Sequence, residues 1–173
     1  MKIKDKIIKT VKEDWNDLKK IKKEILSVNS KELIIKLLNS SEIVYTDMSA
    51  VLLIIPEIWK DFELEDWKHI IQNVNRPKEY RLYIDDGPFF EDIRFLYNWI
   101  GIDSIELYKS DPLILPENKK SLDKIVHNFL KDTMRDNYKE DFEDGTFGNI
   151  DYFRKMKQKL ISQGAKRNSL KDI

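Results

Sequence analysis

The sequence predicts a predominantly helical α+β domain, with roughly six to eight helices around a small sheet of two or three strands. Two observations carry that expectation. Apolar residues recur at intervals of three and four over most of the 173-residue chain. Residues 80–109 instead show two alternating stretches flanking a helical pattern. The composition, 41% hydrophobic and 36% charged, is that of a globular protein long enough to bury a substantial core.

Ile3, Ile7, Val11, Trp15, Leu18, Ile21 and Ile25 form one apolar stripe on a long first helix, with lysines on its other faces. Ser30 is placed to cap a second helix carrying Leu33, Ile34, Leu37 and Leu38. Residues 42–46, short and partly β-branched, fit either a strand or a loop. Asp47 can cap a helix through Met48, Val51, Leu52 and Ile55, and Pro56 suits the first turn of a further short helix. Asp61 or Glu63 opens the next, through Leu64, Trp67, Ile70, Ile71 and Val74, which Asn75, Arg76 and Pro77 close.

The pattern then changes period. Tyr80, Leu82 and Ile84 alternate with Arg81, Tyr83 and Asp85, as in a half-buried strand. Asp86, Gly87 and Pro88 turn into a helix through Phe89, Ile93, Leu96, Tyr97 and Ile100, which Gly101 ends. Ile105 and Leu107 begin a second alternation, so residues 80–109 are compatible with a right-handed βαβ unit. Prolines 112 and 116 make the next stretch an extended connector. Leu122, Ile125, Val126, Phe129, Leu130, Met134 and Tyr138 mark a long amphipathic helix. A turn-rich break at 144–149 precedes a last helix with Ile150, Phe153, Met156, Leu160 and Ile161, ended by Gly164. Residues 1–164 read as one domain and 165–173 as a polar tail.

The formal charge is zero, but it is unevenly spread. Residues 1–36 carry +5, residues 37–111 carry −8 and residues 112–173 carry +3. The acidic middle also holds 12 of the 19 aromatic residues. Acids that steer a partner and rings that bury contact area together suit docking of a basic protein. The competing reading places the rings in the core and the acids in helix first turns.

Several chemistries lack their motifs. There is no cysteine, hence no disulfide, thiolate metal site or cysteine nucleophile. No dinucleotide or Walker-type glycine loop occurs, and the two histidines, His69 and His127, lie on separate helices. The turn after Phe142 resembles a calcium loop only superficially, because phenylalanines occupy ligand slots. The lysine-rich first helix could attract nucleic acid. No arginine precedes Arg76, however, and acids dilute the positive face, so nucleic acid is disfavoured. The first 28 residues lack an apolar signal-peptide core, and the longest apolar run, residues 50–55, is far short of a membrane span.

The resulting expectation is a cytoplasmic, bacterial, non-enzymatic protein that binds a basic protein partner, such as a toxin-neutralising immunity protein or an inhibitor. Its docking surface comprises Trp59, Asp61, Glu63, Asp66, Asp85, Asp86, Glu91 and Asp92. No cofactor, metal or membrane association is expected. A metal-dependent enzyme using Asp47, Asp85 and Asp86 at strand ends is the alternative, and a nucleic-acid regulator using the first helix is the second.

Overall fold

The computed structural model describes residues 1–73, 100–103, 124, 143 and 148–167. Among these residues every regular element is a helix. The first, α1 (Ile3–Asp14), buries Ile7, Ile8 and Val11. It stops where Asp14 swings out to φ −159° and ψ 108°, its carboxylate accepting the Asn16 N–H at 3.0 Å. A 3₁₀ segment follows at Trp15–Ile21, then α2 at Lys22–Leu26.

The expected single long helix is therefore broken, and the break has a basis in spacing. Ile3, Ile7 and Val11 are four apart, whereas Trp15, Leu18 and Ile21 are three apart, the 3₁₀ repeat. Leu18 and Ile21 are buried and Trp15 is left 42% exposed. The chain doubles back, so that the Lys6 ammonium meets the Glu24 carboxylate at 2.5 Å.

Helix α3 (Ser30–Leu38) buries Leu33, Ile34, Leu37 and Leu38 as expected. Its cap is Asn29 rather than Ser30, with Asn29 Oδ1 accepting the Glu32 N–H at 2.9 Å. Helix α4 (Tyr45–Ile54) is the central one: Met48, Ser49, Val51, Leu52 and Ile54 are all buried, which leaves it little polar face. Both α1 and the 3₁₀ segment pack against it.

The small sheet is a correction. Among the described residues there is no strand, only an isolated antiparallel bridge between Ile102 and Arg167. Of the three candidate strands, 80–84 and 105–109 lie outside the described residues, as does most of the helix between them. The third, 42–46, is a turn that runs into α4. The cause is Asp47, whose carboxylate accepts the Val44 N–H at 3.1 Å and so starts the helix at Tyr45. Ile43 meanwhile drops into the core.

After α4 comes a 3₁₀ turn at Pro56–Trp59 with the proline in its first position, then α5 (Leu64–Asn73). Helix α6 (Ile150–Ser162) returns to pack on that turn, joining the far end of the chain to the first 73 residues. The junction is aromatic. Trp59 lies 5.5 Å from Trp67 and 5.2 Å, edge-on, from Phe153, while Phe62 lies 5.7 Å from Trp67. Both indole N–H groups are used: Trp59 donates to Leu52 O at 2.7 Å and Trp67 to Met156 Sδ at 3.4 Å.

Two glycines fix how α6 is held. Gly148 donates to Leu53 O at 3.1 Å, and a Cβ there would stand 2.1 Å from Pro56 Cδ. Gly164, at φ +99°, ends α6: its N–H bonds Ile161 O, and the Ala165 N–H reaches back to Leu160 O. Beyond it, Lys166 O accepts the Asp103 N–H at 2.7 Å.

Candidate protein-docking surface

The acid-rich surface expected from the sequence is described in part, at the start of α5. Asp61, Glu63 and Glu65 are exposed there and Asp66 is half-buried. Local hydrogen bonding explains two of the four acids. The Asp66 carboxylate accepts the Glu63 N–H at 2.8 Å, closing the first turn of α5. Glu63 faces the end of α6, where Lys159 pairs with it at 3.1 Å and the Gln163 amide donates to it. Gln163 also accepts the Leu64 N–H at 2.7 Å, so one side chain clamps α6 to the start of α5.

These contacts set the protonation behaviour of the two acids. The Lys159 and Gln163 bonds hold the Glu63 carboxyl below the usual carboxylate range. Burial pushes the Asp66 carboxyl up. The Glu63 N–H and Lys31, 3.0 Å away, outweigh it and bring the balance below the ordinary value.

The same pairing recurs across the molecule. Lys12 meets Asp47 at 2.7 Å, Lys22 meets Glu57, and Lys166 stands 4.0 Å from Asp103. With Lys31–Asp66 and Lys159–Glu63, each of these pairs joins a lysine from a basic end to an acid of the middle segment. Residues 1–73 hold 13 lysines and 13 acids and sum to zero. The charge polarity of the sequence is thus partly resolved inside the fold. Sequence reasoning missed Lys31, Lys159 and Gln163; the opposite signs of the segments were the signal for the two lysines, and nothing in the sequence pointed to the neutral Gln163.

Trp59 requires a correction. Its ring is wholly buried, as is that of Trp67, and Phe62 is 2% exposed. These rings are core, so Trp59 presents no face to a partner. Their spacing explains it, because Trp59 and Phe62 follow the Pro56 turn inward and Trp67 shares the buried stripe of α5 with Ile70. Asp61 and Glu63 do face solvent. Asp85, Asp86, Glu91 and Asp92 lie outside the described residues.

Asp47, assigned to the metal alternative, is committed elsewhere: the Val44 N–H and Lys12 both use its Oδ2. Among the described residues no group of three or more His, Asp or Glu is placed to hold a metal ion, and no helix is long and apolar enough to cross a membrane. His69 is exposed, its Nδ1 3.2 Å from the Asn73 amide one turn on. Comparison of the chain with protein-family models, curated proteins and solved structures finds no match.

Proposed function

We propose that the chain is a non-enzymatic, cytoplasmic protein that docks a basic protein partner through its acidic middle segment, as an immunity protein or inhibitor does. The observation that carries this reading is the excess of acid in residues 37–111, together with the exposed carboxylates of Asp61, Glu63 and Glu65 at the start of α5. Among the described residues Asp61 has no ion-pair partner and Glu65 pairs only with Lys68 on its own helix. Such acids steer an oppositely charged partner and set its orientation. With Trp59 inside, this reading rests on the acids rather than on that ring, and Asp85, Asp86, Glu91 and Asp92, its other acids, lie outside the described residues.

The two alternatives draw less support. Asp47 is occupied as a capping acid, and most lysines of the first helix meet carboxylates of this same chain. The test is to capture a basic protein from the host with the wild-type chain. Its binding is then measured against the Asp61→Lys, Asp85→Lys, Asp92→Lys triple variant over a salt series. Asp66 is kept because it closes α5. Affinity should fall at least about tenfold, with a flatter salt dependence. Equal affinity and equal salt dependence would remove the reading.

A further inference from the structure

The break at Asp14 joins two elements whose apolar patterns also fit one continuous helix. At 100° per residue, Ile3, Ile7, Val11, Trp15, Leu18, Ile21 and Ile25 fall within an arc of about 120°. The observed chain is bent instead. Lys6 and Glu24 would lie about 27 Å apart along a straight helix, yet their charged atoms are 2.5 Å apart. Packing of α1 on the 3₁₀ segment and the Lys6–Glu24 pair hold the two arms together, while the turn itself is set locally by the extended backbone of Asp14 and its carboxylate, which accepts the Asn16 N–H and side-chain amide. The seven-residue 3₁₀ run that follows exceeds the three or four residues usual for that helix. Trp15, directly after the bend, stands 42% exposed, whereas a straight helix would place it on the apolar stripe.

We propose that α1 is an exchangeable arm and that its partner is a second copy of this chain. Residues 14 and 15 are the hinge. When the hinge straightens, α1, the 3₁₀ segment and α2 become one helix, and α1 leaves its own core. It then takes the identical place in the other copy, packing on that copy's α4. The packing of α1 on α4 is remade between copies, together with Lys6–Glu24 and Lys12–Asp47. The hinge and the rewound segment Trp15–Ile21 are what differ between the two states, so their local preference and the protein concentration set the balance.

Two substitutions push the hinge in opposite directions. Asp14→Ala removes the carboxylate that caps the bend and supplies a strong helix former. Trp15→Pro suits the bend, because Trp15 already has φ −62° and Asp14 is already extended, as a residue before proline must be. The same proline breaks a continuous helix.

Isotopically light and heavy chains are mixed, unfolded and refolded together at high concentration, and their mass is measured in solution. A carbodiimide then joins Lys12 to Asp47, and mass spectrometry reports whether the joined peptides come from one chain or two. The expected result is a dimer fraction several-fold larger in Asp14→Ala, with mixed-isotope Lys12–Asp47 pairs, and a folded monomer in Trp15→Pro. The proposal is overturned if Asp14→Ala remains monomeric at its solubility limit, or if its dimers contain same-isotope pairs alone. Equal dimer fractions in the two variants overturn it as well.

Discussion

The aromatic junction around α6 and the aliphatic bend between α1 and α2 are both buried interfaces, yet they specify structure to different degrees. At the junction, the edge-on Trp59–Phe153 contact and the Trp67–Met156 hydrogen bond join residues 59–67 to α6, while the Phe62–Trp67 contact and the Trp59–Leu52 hydrogen bond fix the rings on their own side. Such contacts have one good geometry. At the bend, isoleucine, leucine and valine supply area without direction, and their spacing satisfies a bent and a straight helix alike. Directed contacts decide which parts of a chain stay together, while undirected ones leave the local backbone to choose.

The sharpest way to break that comparison is to delete one tryptophan from each region. Trp67→Ala should cost about 3–5 kcal/mol in denaturant unfolding, because it empties a wholly buried site and strips Met156 of its donor. Trp15→Ala should change stability by less than about 0.5 kcal/mol. Similar costs at the two sites would show that the bend is as closely specified as the junction.

A smaller effect is expected at Gly148. A methyl group there meets the Pro56 ring, which is itself buried and rigid, so backbone must move at the point where α6 docks. Gly148→Ala should lower stability by about 1–3 kcal/mol, and the loss should appear as earlier exposure of the junction tryptophans on heating. An unchanged melting temperature would mean that this close approach does not exist in solution.

The weakest contribution to the junction is electrostatic, and its sign is defined. Glu63 and Asp66 have folded-state pKa values below their unfolded ones. The stability they add is present above the ordinary carboxylate pKa of about 4. It is lost as pH falls through the lower folded values. Glu63→Gln combined with Asp66→Asn should therefore flatten the loss of stability between about pH 5 and pH 2. A chain whose acid unfolding profile ignores this double change does not use the α5–α6 and α3–α5 ion pairs.

Much of this architecture was legible in the sequence. The three-and-four spacing located α1, α3, α4, α5 and α6, Pro56 marked the first position of its turn, and Gly164 ended α6. The bend was written in the shift from steps of four to steps of three after Val11, but a stripe that also suits a straight helix concealed it. The β-branched residues at 42–46 looked strand-like because local propensity cannot register one carboxylate closing a helix turn three residues later. For the candidate surface, composition paired rings with acids as neighbours in sequence. Helical geometry separates such neighbours, sending Trp59, Phe62 and Trp67 inward and Asp61 and Glu63 outward. Pairing of the terminal lysines with middle-segment acids depends on contacts as distant as residues 63 and 159, which no local pattern encodes.

The central claim is that the rings of residues 59–67 build the core while the neighbouring acids face water. Iodide and acrylamide quenching of a Trp15→Phe, Trp99→Phe variant, which keeps only Trp59 and Trp67, tests it most directly. The fold predicts blue-shifted emission that iodide leaves almost untouched until the chain unfolds. Emission already red-shifted and readily quenched in the folded protein would contradict it and return Trp59 to the surface.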